Sequence, residues 1–417
     1  MIWRILLLTC LVLELAPAVV AESRVKTGID VLADDDYEPL AGKRVGLVTN
    51  PTGVDSRLRS TVDHLAKAKD VKLVALFGPE HGVYGDEYAG AKVGNAKDPR
   101  TGLPIYSLYG GTRKPTSAML QDIDVLVLDL QDIGSRSYTY ISTMQLCLRA
   151  CAENHVQFMV LDRPNPLGGL RIEGPAHQPS TYSFVNAFDV PYVHGMTMGE
   201  LAKMEEAALR KAYPNLKKDL LKVVKMRGWD RNMTFDETGL PWVPTSPHIP
   251  RPATAFFYAA TGLVGELSTV SIGVGYPLPF ETIAAPWIDA DEFAAALNAR
   301  GLPGVQFRPI HYKPFYGTYK GMTVHGVQIH IVDLNRVNLV EIQFQALDVM
   351  KKLYPSISVF KKAESLELFD QTSGGPSTRR WIESGRNLND MLKQWRESAE
   401  QFRDTRAPYL LYDTGIF

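Results

Sequence analysis

The chain has 417 residues and a mass of 46.3 kDa, enough for about two domains of ordinary size. A hydrophobic content of 45% supplies a full core and excludes disorder as the main state. Lys and Arg total 45 against 46 Asp and Glu, and that balance argues against a nucleic-acid or anionic-membrane partner, either of which calls for a basic excess.

Residues 1–21 read as a secretory signal peptide: a basic start at Arg4, an apolar run from Ile5 to Leu13, and Val19-Val20-Ala21 before a cleavage point at Glu22. The run is too short to cross a bilayer, which takes about 20 apolar residues. The mature chain is therefore expected in the periplasm or outside the cell, without stable membrane insertion. After it, apolar runs alternate with amphipathic stretches. Strands are expected at 43–49, 71–77, 124–130 and 156–162, and helices at 57–68 and 138–154. Near-continuous apolar strands separated by helices mean a parallel sheet covered on both faces. Residues 22–240 are thus predicted to form one doubly wound α/β domain.

Two features interrupt that alternation. The stretch from Gly78 to Leu120 is a long loop rich in Gly, Pro and Tyr, a type that in compact domains is usually functional or disordered; its aromatic content favours function. Residues 241–286 are rich in Pro, Gly and aromatics. A helix capped by Asp289, a strand at 326–331 and helices from Leu339 onward follow, so residues 241–417 are predicted to form a smaller α+β domain. Cys147 and Cys151 lie four apart on a helical pattern and read as small buried hydrophobes.

Ligands of an open α/β sheet bind beyond the carboxyl ends of its strands. Four such ends carry polar loops: Thr49-Asn50-Pro51-Thr52-Gly53, Gly78-Pro79-Glu80-His81-Gly82, Asp129-Leu130-Gln131-Asp132-Ile133-Gly134-Ser135-Arg136, and Asp162-Arg163-Pro164-Asn165. No Gly-x-Gly-x-x-Gly follows the first strand, and P-loop, Gly-x-Ser-x-Gly and His-Glu-x-x-His motifs are absent. Neither a cofactor nor a metal is expected. Carboxylates are plentiful at this edge, and glycoside hydrolysis needs two: one protonated to donate to the leaving oxygen, one ionised. Glu80, set against His81 and Tyr84, fits a general acid whose pKa is raised by aromatic surroundings. Glu173, in a Gly/Pro-rich turn, is the second candidate; a loop salt bridge is its alternative. His81 either orients Glu80, binds a hydroxyl or is structural. Arg136 and Arg163 either grip a substrate carboxylate or pair with Asp129, Asp132 or Asp162. Tyr138 either stacks on a sugar or faces the core. Asn50, Asp132 and Asn165 complete the expected substrate contacts.

The motifs Gly46-Leu47-Val48-Thr49-Asn50-Pro51-Thr52-Gly53, Pro79-Glu80-His81-Gly82, Tyr106-Ser107-Leu108-Tyr109-Gly110, Leu130-Gln131-Asp132-Ile133-Gly134, Leu161-Asp162-Arg163-Pro164-Asn165-Pro166 with Glu173-Gly174-Pro175, and Tyr409-Leu410-Leu411-Tyr412 together resemble the exo-β-N-acetylmuramidase family, formerly a domain of unknown function. The resemblance spans nearly the whole mature chain. It implies a Rossmann-like N-terminal domain, a smaller C-terminal domain and a cleft between them. It also implies release of N-acetylmuramic acid from the non-reducing end of peptidoglycan fragments, with catalysis on Glu80 and with Glu173 in the cleft. One stretch departs from the family pattern. Ser271-Ile272-Gly273-Val274-Gly275-Tyr276 stands where the family has Ser-Glu-Gly-Arg-Gly-Thr, so Ile272 and Val274 replace a carboxylate and a guanidinium. Likewise Ser246-Pro247-His248 stands for Ser-Pro-Asn. If the missing arginine grips the lactyl carboxylate, Arg136 or Arg163 is expected to compensate. Two other readings are a catalytically weak protein that captures wall fragments, and a metal-dependent hydrolase using Asp129, Asp132 and His81.

Overall fold

A computed structural model describes residues 23–361 and 363–415. The segment expected to be a signal peptide, with Cys10, lies outside the described residues. The strands are β1 (Arg44–Thr49), β2 (Lys72–Gly78), β3 (Ala96–Lys97), β4 (Pro104–Ser107), β5 (Val125–Asp129), β6 (Gln157–Leu161) and β7 (Leu221–Val224). They make one sheet in the order β3-β4-β2-β1-β5-β6-β7, parallel throughout except for the short edge pair β3–β4. Every residue of β5 and β6 is buried, as their unbroken apolar runs require of strands covered on both faces. The chain leaves β1 to β2 on one side and later returns to β5 on the other. The reversal of strand order at β1 opens a crevice at the carboxyl ends, where Thr49, Gly78, Asp129 and Leu161 terminate.

Covering helices include α1 (Gly28–Asp34), α2 (Thr61–Lys67), α3 (Ser117–Leu120), α4 (Tyr140–Glu153) and α5 (Met198–Ala212). Ser60 caps α2 through Asp63 N, and Thr197 closes a capping box with Glu200 at the start of α5. The expected helix at 57–68 begins only at Thr61, because Asp55 accepts the amides of Arg57 and Arg59 and holds a turn ahead of the cap. Cys147 and Cys151 are both buried and unpaired within α4, and burial pushes their thiols up.

The second half contains α6 (Ala253–Gly265), β8 (Thr282–Ala285), α7 (Ala290–Asn298), β9 (Val305–Tyr312), β10 (Val324–Ile331) and α8 (Leu339–Leu353). The antiparallel sheet runs β8-β10-β9. Asp289 does cap α7, accepting from Glu292 N at 2.9 Å. Helix α6 was not anticipated: its sequence, ATAFFYAATGLVG, is apolar on nearly every face and so lacks the polar stripe that signals a surface helix. It is instead a buried helix, packed on α8, with the Gln343 amide donating to Ala259 O and its carbonyl accepting Val264 N. Helices α9 (Ala363–Thr372), α10 (Pro376–Glu383) and α11 (Leu388–Arg406) finish the chain. Among the described residues, no helix is long and apolar enough to cross a membrane.

The two halves share one hydrophobic core, which runs from Leu128 and Tyr140 through Phe256 to Phe344. The tail strengthens the union. Arg406 donates to His194 O and Gly195 O, and Leu411 N donates to Glu200. Tyr412 reaches the carboxyl end of β6, where its hydroxyl donates to Asp162 Oδ2 at 2.7 Å and accepts Met226 N at 3.0 Å, edge-on to Trp229. Tyr412→Phe leaves a buried carboxylate oxygen and an amide short of a partner, and urea unfolding should show a loss of about 1–3 kcal/mol. An unchanged unfolding midpoint would remove the tail from the interactions that hold the halves together.

Candidate active site

The loop after β2 is bent by two consecutive residues with positive φ, His81 at 71° and Gly82 at 76°. A histidine rarely adopts this region, and it does so here because its ring is held: His81 Nδ1 lies 2.9 Å from Glu87 O. The bend turns Glu80 away from the sheet and into a cavity of about 810 Å³. Glu80 Oε2 accepts from Thr139 Oγ1 at 2.6 Å, and Oε1 accepts from Gly90 N at 3.0 Å. Tyr109 stands beside it; burial and the Glu80 carboxylate push the Tyr109 phenol up to about 12.

The opposite wall comes from the second half. Ser246, His248 and Ile249 line the cavity, with Tyr258 and Gly262 of α6 and then Glu266, Ile272 and Val274. Glu266 follows the last turn of α6 directly. Burial first, and then the Glu80 carboxylate, push its carboxyl up to about 7. The negative end of the helix acts in the same direction. The loop that carries Ile272 and Val274 is pinned by glycine: a Cβ on Gly273 would meet Leu278 O at 2.0 Å and one on Gly275 would meet Tyr316 O at 2.1 Å, and both residues have positive φ. His248 lies 2.9 Å from the Tyr316 hydroxyl through Nε2, and burial together with His81 lowers its pKa.

Of the residues expected from sequence, Glu80, His81 and Tyr138 line this cavity. The Tyr138 hydroxyl donates to Thr245 Oγ1 at 2.8 Å, so one face serves the cavity while the polar tip joins the two halves. The others lie beneath it or away from it. Asn50 is buried, accepting Thr52 N and donating to the Tyr140 hydroxyl. Asp132 accepts Gly134 N at 2.7 Å, and burial pushes it up to about 7. Asn165 donates to Met196 O and accepts Leu167 N. Arg136 is wholly buried, its guanidinium given to the carbonyls of Pro175, Val190 and Thr372. Arg163 forks onto Asp129 and donates to Val54 O. Glu173 is not a lining residue: it pairs with Arg171 and accepts Val340 N, capping α8.

The suggested metal triad is not assembled either. Asp129 is taken by Arg163 and Thr61, Asp132 by its own turn and His81 by Glu87. Among the described residues no three His, Cys, Asp or Glu side chains are gathered as a cation site. Glu266 escaped the sequence reading, although a signal existed: it is the one charged residue between Arg251 and Glu281, in an otherwise apolar stretch.

A cavity lined by two carboxyl groups, Glu80 and Glu266, and walled by Tyr109, Tyr138, Tyr258 and Phe280 has the make-up of a sugar site. Residues 45–253 match the model of the N-terminal domain of the exo-β-N-acetylmuramidase NamZ, and residues 256–412 match that of its C-terminal domain. The chain belongs to the exo-β-N-acetylmuramidase NamZ family. It is 44% identical over 389 residues to the peptidoglycan β-N-acetylmuramidase NamZ of Bacillus subtilis strain 168, covering 93% of this chain and 92% of that protein. A crystal structure of a DUF1343 family protein from Bacteroides fragilis superposes with a TM-score of 0.87 at 50% identity, covering 94% of this chain and 99% of that one. A second DUF1343 protein from the same organism gives 0.72 at 27% identity with the same coverage. By family, the chain is a glycoside hydrolase of α/β fold with a smaller second domain.

The placement of Arg163 makes a direct stability prediction. Its ion pair with Asp129 is buried on both sides, and removing one partner of such a pair strands the other charge, at about 3–5 kcal/mol. Arg163→Ala should therefore lower unfolding stability by that order in a denaturant titration. A variant with wild-type stability and only weakened substrate binding would restore Arg163 to the substrate contacts.

Proposed function

We propose that this protein is an exported exo-β-N-acetylmuramidase that releases N-acetylmuramic acid from the non-reducing end of peptidoglycan fragments. The substrate is supported by membership of the NamZ family and by the Bacillus subtilis relative. Periplasmic or secreted location is supported by the signal-like residues 1–21. The observation that carries the chemistry is the pair Glu80 and Glu266 on one cavity. Glu266, pushed up to about 7, is about half protonated at neutral pH, and the protonated form donates to the glycosidic oxygen as the C1–O bond breaks. Glu80 offers carboxylate oxygens, already accepting from Thr139 and Gly90, to the positive charge that grows at C1, and takes the proton of the water whose oxygen bonds to C1 as the leaving oxygen departs with the proton from Glu266. In this reading Glu266, whose carboxyl is raised by burial, takes the acid role that the sequence suggested for Glu80.

Two substitutions test the pair with a chromogenic N-acetylmuraminide. Glu80→Gln should lower turnover by at least about 10²–10⁴-fold with the fold intact; near-wild-type turnover would exclude Glu80. The acid is active when protonated, so kcat/KM should fall about tenfold per pH unit above pH 7, the need for an ionised Glu80 setting a separate limb on the acid side. Glu266→Gln should lower the rate and abolish that alkaline limb. A limb that persists in the variant would assign the proton to another group.

A further inference from the structure

The cavity is lined by a single Lys or Arg among the described residues, and neither arginine first expected to bind substrate is that residue. Arg136 is buried and gives its guanidinium to three backbone carbonyls, Arg163 is buried on Asp129 and Val54 O, and Ile272 and Val274 make part of the facing wall apolar. The cationic lining residue is Arg113. Its guanidinium lies 4.2 Å from the ring centre of Phe184 and 5.3 Å from that of Tyr109. It forms no ion pair or hydrogen bond with any described residue, so its donors are free on an exposed side chain whose plane two aromatic rings hold.

The loop beneath it is built. Thr112 Oγ1 donates to Lys114 O and accepts Lys114 N, Lys114 pairs with Glu153, and Thr116 caps α3. Arg113 also has a defined relation to the reacting centre. Tyr109, on which it stacks, is the same residue that stands beside Glu80. The cation and the catalytic carboxylate therefore share one aromatic neighbour on one cavity. In a muramic acid the lactyl ether at C3 and the glycosidic bond at C1 are likewise borne by one ring, with only C2 between them.

We propose that Arg113 is the specificity-determining residue that binds the free lactyl carboxylate of the terminal muramic acid, doing from the N-terminal half what the Ile272–Val274 loop cannot. This inference rests on the proposed muramidase reading. A guanidinium–carboxylate contact of this kind discriminates by about 10–150-fold. A sugar whose lactyl carboxyl is already amide-linked to a peptide lacks that charge and loses the contact, so peptide-free fragments are favoured.

Binding tests the idea without depending on turnover. Calorimetric titration of the full chain with N-acetylmuramic acid and with N-acetylglucosamine should show a preference of about 10–150-fold for the acid. Arg113→Gln should bring that ratio close to one, and Arg113→Lys should restore part of it. N-acetylmuramoyl-L-alanine, in which the lactyl carboxyl is an amide and the charge lies one residue out, should bind without the preference. Equal binding of the two sugars by the wild type, or a preference that survives Arg113→Gln, overturns the proposal. So does an Arg113-dependent preference for the alanyl sugar, which would assign the contact to stem peptide instead. Turnover of a muraminide is measured alongside. Absent turnover with the binding preference intact sinks the hydrolase reading while supporting the role of Arg113, whereas turnover without the preference sinks the role of Arg113 alone.

Discussion

The buried ion pair between Asp129 and Arg163 is the interaction on which the site depends. Asp129 ends β5, and Arg163 begins the loop after β6. Asp129 also accepts Thr61 at the start of α2, while Arg163 reaches Val54 O in the loop after β1. Gln131 extends the same lattice, its amide N donating to Thr52 Oγ1 and its side chain to Pro164 O. Parallel strands bring these loops to one edge, but topology alone leaves their relative heights free. The pair and its neighbours fix them, forming a rigid polar floor beneath the cavity. Two charges buried this way cost desolvation energy, which the fork geometry and the added hydrogen bonds offset. What the floor supplies is a defined platform for the layer above it.

That upper layer contains the proposed chemistry. Thr139 and Gly90 hold Glu80 from the N-terminal half, and Tyr109 stands at its side. The C-terminal half supplies the facing wall through α6 and the glycine-pinned loop of Ile272 and Val274. Because α6 is buried, its end can place a carboxyl, Glu266, in surroundings poor enough in water to push its pKa up to about 7. The cavity thus has two unlike sides: hydrogen-bond donors around Glu80, and low-dielectric packing around Glu266. A pair of carboxyl groups divides acid and charge-stabilising roles through such a difference in surroundings.

Much of the fold was legible because period and burial agree. The unbroken apolar runs of β1, β2, β5 and β6 occur where a sheet is covered on both faces, and Asp289 caps its helix as its position suggested. Helix α6 was not legible, since an all-apolar stretch with glycines carries neither helical nor strand periodicity. Within the site, the position of Glu80 on the cavity was legible from its polar Pro- and Gly-bearing loop at a strand end. Arg136, Arg163, Asn50, Asp132 and Asn165 sit at the same edge and share the residue types of ligand contacts. Whether such a side chain faces substrate or the floor depends on packing against Thr372, Val190 or Met196, residues far from it in the chain. Glu173 illustrates the same limit: its Gly/Pro-rich turn does not reveal that it caps α8, more than 160 residues away.

The central claim is that one cavity, between Glu80 and Glu266, holds the scissile bond. A crystal structure of the Glu80→Gln variant with an uncleaved disaccharide carrying non-reducing N-acetylmuramic acid tests it most directly. The account predicts the muramic acid ring inside the cavity, its glycosidic oxygen within hydrogen-bonding reach of Glu266 and its anomeric carbon facing residue 80. A disaccharide seated elsewhere, such as the groove between α4 and α5 lined by Leu146, Arg149 and Leu216, or one whose glycosidic oxygen is out of reach of Glu266, would contradict it.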